Sequence, residues 1–212
     1  MRYVRQEQLS QIYRKNKDKM YKEYNEETFE NKELASETVS DCKFIACKFK
    51  KCNLTGLKLN CCDFIECHFT DCYISIDDIK SSEAKYCEFD HTRLFSVNWS
   101  LLLAGGISEP IYRLTDCVLK YNQFSEMNFK KFSFAGNDIL SSMFAECSMT
   151  EADFSGCNLE ETEFFKCDLR KSDFRGAKGY LVDVLSSKVS GAHFSMPEAT
   201  NLLRSLQIKV EW

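Results

Sequence analysis

Apolar residues recur at every fifth position of this chain from Phe29 to Phe194, a single register of 34 positions in which only Glu109 and Gly179 are clear exceptions. A period of five fits neither the roughly 3.6 residues of a helical turn nor the alternation of a simple strand. The chain must therefore turn inward once per five residues. A short repeat of this kind predicts a solenoid of stacked units.

A second inward position lies two residues before each apolar residue, and it carries a small side chain or a thiol, as at Cys42, Cys47 and Cys52. Four glycines that follow the apolar residue by two positions differ by multiples of 20, and five of the cysteines share another 20-residue spacing. The glycines are Gly56, Gly136, Gly156 and Gly176, and the cysteines are Cys47, Cys67, Cys87, Cys147 and Cys167. Four units therefore form one coil. The recurrent glycine predicts one corner whose backbone conformation is costly for other residues.

We therefore expect an all-β solenoid of about eight quadrilateral coils with terminal helical caps, the layers lying about 4.8 Å apart. The predicted segments are an N-terminal basic extension or cap at 1–28, repeats at 29–99, a loop or joint at 100–113, repeats at 114–194, and a C-terminal helix and strand at 195–212.

Two irregularities interrupt the repeat. The segment after Trp99 loses the small inward residue and contains Gly105, Gly106 and Ile107, so it is either a projecting partner-binding loop or a joint between two stacked subdomains. A weaker irregularity surrounds Ile79 and Ala84, where Asp77 falls at an inward position.

The ends of a solenoid need covers because an open coil exposes its core and unpaired strand edges. At the C-terminus, Ser195 is a candidate helix cap with Pro197 in the first turn. The apolar residues expected to form the cap and a homodimer contact are Leu202, Leu203, Leu206, Ile208, Val210 and Trp212, and capping alone is the alternative. The N-terminal segment has helical apolar spacing, so it is either a helix that covers the first coil or a flexible basic arm.

The twelve cysteines are best explained as reduced core thiols. Eleven of them occupy the small inward position, and the tight spacing of structural zinc sites is missing; only Cys61 is expected to face outward. The three histidines, His68, His91 and His193, fall at outward positions with no nucleophile arranged beside them. We therefore predict no catalysis, no cofactor and no metal.

Composition favours a single soluble domain with an ample core, since 212 residues are 44% hydrophobic. The sequence has no stretch long enough to span a membrane and no apolar region typical of a signal peptide near Met1, so a cytoplasmic location is expected. Residues 1–22 carry a net charge of +5 and the remaining 190 carry −9. Such an acidic surface either mimics nucleic acid or serves solubility alone.

The 20-residue period also sorts the outward residues into faces. One face, centred on Phe44, Phe64, Phe124, Phe144 and Phe164, is net acidic and carries apolar side chains. Its candidate partner-binding residues are Asp63, Glu66, Glu126, Glu146, Glu163, Asp183, Ile65 and Phe165. The alternative is that these apolar residues follow the turn and are half covered. A neighbouring face gathers basic residues, among them Lys48, Lys50, Lys51, Lys130, Lys131, Arg170 and Lys171.

The tandem units resemble those of pentapeptide-repeat proteins over about residues 29 to 194, and this resemblance implies a right-handed quadrilateral β-helix. The segments Val97-Asn98-Trp99 and Phe194-Ser195-Met196-Pro197-Glu198-Ala199 are similar to those of the quinolone-resistance (Qnr-type) and albicidin-resistance subgroup. That likeness implies a C-terminal dimer that imitates duplex DNA and binds DNA gyrase. The chain departs from the subgroup in its added N-terminal segment and its richness in cysteine and lysine.

Two classes of function follow. The first is a DNA-mimicking protein that binds DNA gyrase or topoisomerase IV and protects it from quinolones or a natural-product poison, without binding nucleic acid or membrane itself. The second is a structural repeat scaffold for a different protein partner.

Overall fold

The computed structural model describes residues 22–103 and 109–208, which form two compact units, residues 1–117 (unit 1) and 118–212 (unit 2). The predictions for Gly105, Gly106, Ile107, Val210 and Trp212, and those for residues 1–21, lie outside the described residues.

Short parallel strands make up most of both units. In unit 1 they are β1 (Lys22–Asn25), β2 (Thr28–Glu30), β3 (Thr38–Ile45), β4 (Lys48–Lys50), β5 (Asn53–Ile65), β6 (His68–Thr70), β7 (Tyr73–Lys80), β8 (Glu83–Lys85), β9 (Cys87–Asp90), β10 (Arg93–Phe95) and β11 (Ile111–Thr115). In unit 2 they are β12 (Val118–Lys120), β13 (Gln123–Ser125), β14 (Asp138–Leu140), β15 (Met143–Ala145), β16 (Glu163–Phe165), β17 (Asp173–Phe174), β18 (Leu181–Val182) and β19 (His193–Phe194). Two 3-10 helices are described, at Trp99–Leu102 and Glu198–Leu206.

Strand pairing confirms the predicted coil. Phe44 pairs with Phe64 in unit 1 and Phe144 pairs with Phe164 in unit 2, so the partner of a residue lies 20 positions further along the chain. With five residues per side, each coil has four sides, and the described coils form a parallel β-solenoid of about eight turns.

Aromatic columns fill the interior of each unit. Rings 20 residues apart stack with centroids 4.4–5.1 Å apart and planes within 17°. The columns are Tyr24–Phe44–Phe64 and Phe29–Phe49–Phe69–Phe89 in unit 1, and Phe124–Phe144–Phe164 and Phe134–Phe154–Phe174–Phe194 in unit 2. The strand spacing imposes this distance, and each fully buried ring contributes about 1.5–3 kcal/mol of transfer free energy.

The small inward position is occupied by buried, reduced cysteines, as predicted, and Cys61 alone among the twelve is half-buried. Each thiol or hydroxyl at this position donates to a carbonyl of the preceding coil. Cys62 Sγ lies 3.2 Å from the Val39 carbonyl, Cys157 Sγ lies 2.9 Å from that of Phe134, and Thr162 Oγ1 lies 2.7 Å from that of Ile139. The inward side chains therefore link the coils by hydrogen bonds, a role that the sequence pattern did not reveal.

The corners differ from the prediction. The left-handed backbone is not confined to one glycine corner, because non-glycine corner residues such as Ala46, Glu66 and Glu146 have φ of +50° to +56°. The corner needs the left-handed conformation on every side of the coil. Glycine is therefore an occasional occupant of the corner and does not mark a special side.

The break changes the count of residues per coil. Phe89 pairs with Leu114, and the amide of Tyr86 donates to the carbonyl of Glu109 over 2.8 Å, so this coil contains 25 residues. The 3-10 helix at Trp99–Leu102 lies in the enlarged coil, and the Trp99 ring contacts that of Phe89 edge-on at 5.5 Å. Counting in twenties therefore cannot carry a face of unit 1 into unit 2, and the prediction of one acidic face through Phe44 and Phe124 was wrong in that respect.

The second irregularity is a bulge. Leu57 pairs with Ile76 while Lys58 pairs with Asp78, so Asp77 is exposed and not inward as predicted. In a neighbouring side of the coil, Ala84 occupies the column that holds Phe44 and Phe64 in the preceding coils. The smaller side chain leaves an apolar cavity of about 50 Å³ that Trp99 also lines.

The last part of unit 2 also departs from the repeat. Phe164 pairs with Val182, only 18 residues later, and Tyr180 enters the core between the rings of Phe174 and Phe194. The predicted Ser195 cap is wrong. Its hydroxyl accepts the Gly176 amide over 2.9 Å, and Pro197 precedes the 3-10 helix without a side-chain cap.

Tyr180 provides a test of this packing. Its hydroxyl is buried and has no hydrogen-bond partner among the described residues, and burial, followed by the charge of Glu198, raises the pKa of Tyr180 to about 12. Because an unsatisfied buried polar group costs about 1–3 kcal/mol, we expect Tyr180→Phe to increase the free energy of unfolding by about 1 kcal/mol in urea titrations. Tyr121→Phe, at an exposed ring, is the control. A loss of stability in Tyr180→Phe would contradict the assignment.

Candidate protein-interaction face

The structure separates the predicted partner-binding residues into two groups. Glu126, Glu146, Glu163, Phe165 and Asp183 lie together on the sheet of β13, β15, β16 and β18 or at its corners, in consecutive coils of unit 2. We call this surface the unit 2 face. Asp63, Ile65 and Glu66 instead lie at the end of β5 in unit 1.

Exposed apolar side chains line the unit 2 face. Met143 is 43% exposed, Phe165 is 41% exposed, and Leu185, beyond β18, is 72% exposed. The repeat explains their orientation, because the residues on either side of the buried Phe144, Phe164 and Val182 point outward from the same strands. At Phe165 the side chain is not half covered by the turn, so the first of the two explanations offered by the sequence applies here.

The carboxylates of this face differ in their surroundings. Lys166 Nζ lies 3.3 Å from Glu146 Oε1 and 5.1 Å from the Phe165 ring centre. The exposed carboxylates of Glu126 and Glu163 have no ion pair with any other described residue. Two glutamates are therefore available to an external cation.

Asp183 has a local role in addition. Its carboxylate accepts the Ser186 hydroxyl over 2.6 Å and the Leu185 amide over 3.0 Å. These bonds, the hydroxyl first, hold the pKa of Asp183 below its usual range. The side chain therefore closes the turn after β18 and contributes negative charge from a fixed position.

The group in unit 1 has a mixed character. Asp63 lies in register between Lys43 and Glu83, and the half-buried Ile65 lies between Ile45 and Lys85. Charges of both signs alternate along these columns, and the isoleucines are partly covered. The acidic, apolar combination predicted from the sequence is therefore concentrated in unit 2.

A basic surface borders the unit 2 face. After the corners at Glu126, Glu146 and Lys166, the chain turns into the next side of the coil, whose outward residues include Lys130, Lys131, Arg170, Lys171 and Lys188. Arg170 pairs with Asp168 at 2.6 Å and Lys131 with Glu151 at 3.6 Å. The remaining lysines give this side a net positive charge.

Sequence analysis missed a groove beside the unit 2 face. The C-terminal 3-10 helix packs against β18, and Asn201, Arg204 and Ser205 face Phe165 and Leu181 across the opening. Of the predicted dimerisation residues, Leu202 and Leu203 are half-buried whereas Leu206 and Ile208 are exposed. No local pattern places a helix against a strand that is only two residues long, so the sequence alone could not identify this groove.

The histidines occupy outward positions, as predicted. His68 Nδ1 lies 3.2 Å from Glu88 Oε2, and Arg113 contacts the same carboxylate. A hydrogen bond to Asp90, with the charge of that residue, raises the pKa of His91. Within 22–103 and 109–208, no group of three or more histidine, cysteine or acidic side chains is arranged to hold a metal ion. Over those same residues, no helix is long and apolar enough to cross a membrane.

Comparison with solved structures gives matches of low sequence identity. A trypsin-treated variant of QnrB1, a plasmid-mediated fluoroquinolone resistance protein, is 19% identical over 91% of this chain and 92% of its own, with a TM-score of 0.48. Full-length QnrB1 is 21% identical over 88% and 90%, with a TM-score of 0.42. HetL, a pentapeptide-repeat protein involved in heterocyst differentiation regulation from the cyanobacterium Nostoc sp. strain PCC 7120, is 11% identical over 81% and 84%, with a TM-score of 0.41.

Sequence comparison is more direct. A search of curated proteins gave no match. The family model for pentapeptide repeats matches residues 40–75 and 144–178, with eight copies of the repeat. The five-residue sides and the 20-residue pairing continue beyond both matched segments. On its repeats and its fold, the chain is a pentapeptide-repeat protein.

Proposed function

We propose that this protein binds DNA gyrase or topoisomerase IV through the unit 2 face and protects the enzyme from a quinolone or a natural-product poison. The observation that carries the proposal is the combination, on one side of unit 2, of the unpaired carboxylates of Glu126 and Glu163 with the exposed ring of Phe165. The protein acts as a binding partner and not as an enzyme.

Each part of this surface has a physical role in the proposal. A DNA-binding enzyme presents a positive potential to its substrate, and that potential also attracts an acidic protein surface. Acidic side chains therefore accelerate and orient the encounter, while desolvation of the exposed apolar residues supplies affinity. The sequence resemblance to Qnr-type proteins supports the choice of a topoisomerase as the partner and of a fluoroquinolone as the first drug to test.

The test is a charge reversal on the unit 2 face. We expect Glu126, Glu146 and Glu163, changed together to lysine, to weaken binding to gyrase by about 100-fold or more, because attraction becomes repulsion at three points of contact. Binding is measured by surface plasmon resonance, and protection by a supercoiling assay with and without a fluoroquinolone.

A matched control is available in the same unit. Glu151, Glu160 and Glu161 are exposed glutamates outside the unit 2 face, and their change to lysine alters the net charge by the same amount. This control variant is expected to bind nearly as well as the wild type. Undiminished binding by the folded first variant would contradict the proposal.

One observation favours the second candidate function, a repeat scaffold for another protein. A uniform DNA mimic would be acidic on every side, whereas Lys130, Lys171 and Lys188 make the neighbouring side of unit 2 basic. On this alternative the protein would affect neither enzyme in the supercoiling assay. In either case we propose a homodimer through Leu202, Leu203, Leu206 and Ile208, of which the last two are exposed in a single chain.

A further inference from the structure

The groove between strands β16 and β18 and the C-terminal 3-10 helix has a volume of about 420 Å³. This volume lies within the range of about 300–1,000 Å³ that is usual for sites occupied by organic ligands. Its floor is formed by Phe165, Leu181 and Val182, and its far wall by Asn201, Arg204 and Ser205. The space therefore suits a bulky side chain and the peptide backbone around it.

Hydrogen bonds hold the helical wall in place. The Val184 amide donates to Ser205 Oγ over 3.3 Å, and Glu198 Oε2 accepts both the Gly179 amide at 3.3 Å and Asn201 Nδ2 at 2.9 Å. These bonds connect the helix to the coil on both sides of Tyr180. A ligand would meet a preformed groove and would not have to order it, which lowers the cost of binding.

Charge is distributed unevenly around the opening. Glu163 and Asp183 lie on the strand side, with Glu126 and Glu146 farther along the same face, whereas Arg204 is the cation on the helix side. An apolar floor beside carboxylates that lack an ion pair complements a segment that carries both an apolar and a basic side chain.

We propose that this groove binds an extended peptide segment of the partner in which an aromatic or large aliphatic residue is flanked by lysine or arginine. The apolar side chain contacts Phe165 and Leu181, and the flanking cations approach Glu163 and Glu126. The inference rests on the proposed function in that it places a protein partner on the unit 2 face. It goes further because it assigns affinity to an apolar anchor that duplex DNA does not possess.

The direct test uses a peptide probe and the full-length chain. Two fluorescein-labelled nonapeptides of equal charge, with phenylalanine or glycine between flanking lysines and arginines, are titrated in an anisotropy assay. We expect the phenylalanine peptide to bind about tenfold more tightly, because burial of one aromatic side chain is sufficient for that difference. Equal affinities, or no binding of either peptide, would overturn the inference.

Variants then locate the contact. Phe165→Ser, at an exposed ring whose loss spares the core, is expected to remove the preference for phenylalanine while leaving the salt dependence of binding unchanged. Glu163→Gln is expected to weaken both peptides equally and to reduce that salt dependence. Tyr121→Ser, at another exposed ring of unit 2, is the matched control. Retention of the preference in Phe165→Ser would show that the probe binds elsewhere and would overturn the inference.

The inference and the proposed function can fail separately. Selective peptide binding by a protein that does not bind gyrase or topoisomerase IV would refute the proposed function alone, whereas gyrase binding that Phe165→Ser leaves intact would refute the groove alone. Sedimentation of the same samples tests for a second copy in the groove. Displacement of a dimer by the phenylalanine peptide would identify the second copy as the natural occupant and would overturn the assignment to a partner.

Discussion

We expect the protein to lose its stability steeply between about pH 8.5 and pH 11, because its core is rich in buried thiols. Burial raises the pKa of Cys117 to about 11 and that of Cys157 to about 12. Contact with a neighbouring thiol, together with burial, also raises the pKa of four further cysteines in the core, which are Cys42, Cys67, Cys72 and Cys167.

The direction of the effect follows from proton linkage. In the unfolded chain these thiols ionise near pH 8.5, whereas in the folded chain they remain protonated until the pH reaches their raised pKa. The stabilisation is therefore complete below about pH 8.5 and is lost as the pH rises toward the folded pKa. Each such thiol removes about 1.4 kcal/mol per pH unit in this window. Six of them remove about 8 kcal/mol per unit, compared with a total stability of about 5–15 kcal/mol for an ordinary domain.

Urea titrations in reducing buffer at pH 7, 9 and 10 measure the slope. Changing Cys117 and Cys157 together to alanine should reduce it by about 2.7 kcal/mol per pH unit. Alanine suits the site because Ala152 occupies the same inward position in unit 2, where it is buried. A free energy of unfolding that stays constant up to pH 11 would contradict the prediction.

Gly179→Ala should destabilise unit 2 by about 2–5 kcal/mol, the sum of a backbone term and a steric term. Gly179 has φ of +72°, and a Cβ atom there would lie 2.7 Å from Glu160 Cα and 3.0 Å from Glu160 N. Both are backbone atoms of the adjacent coil, so relief would require a shift of the stacked strands.

Gly156→Ala separates the two terms. Gly156 has a similar φ of +68°, but a Cβ atom there meets nothing within 4 Å, so only the backbone cost of about 1–2 kcal/mol applies. Both variants are measured by the urea midpoint. Equal losses in the two variants would show that the close approach at Glu160 has no energetic weight.

The exceptions to the repeat show where prediction from the sequence ended. Gly179 breaks the apolar register because the coil is two residues shorter there, and Tyr180 takes the inward place. Glu109 breaks it because the coil at the break contains five additional residues and its carbonyl accepts the Tyr86 amide. The sequence marked both positions as anomalies, but it could not give the length of the altered coil, since that depends on which strands pair.

The interaction face was predictable in part for the same reason. The outward positions of Glu126, Glu146, Glu163 and Phe165 follow from the five-residue period alone. Their separation from Asp63, Ile65 and Glu66 required the 25-residue coil, because one inserted side changes the face assigned to every later residue. The groove required still more, namely a helix that folds back against β18.

The sequence by itself determined the coil, its four sides, the residues that fill it and the reduced state of the thiols. It did so because a local repeat fixes which side chains turn inward, and identical coils then stack in the same register. The tertiary structure alone decided where the register shifts, which corners and hydroxyls satisfy distant amides, and how the C-terminal helix forms a groove with Phe165. Those features depend on contacts between residues distant in sequence, and no five-residue unit contains the information that specifies them.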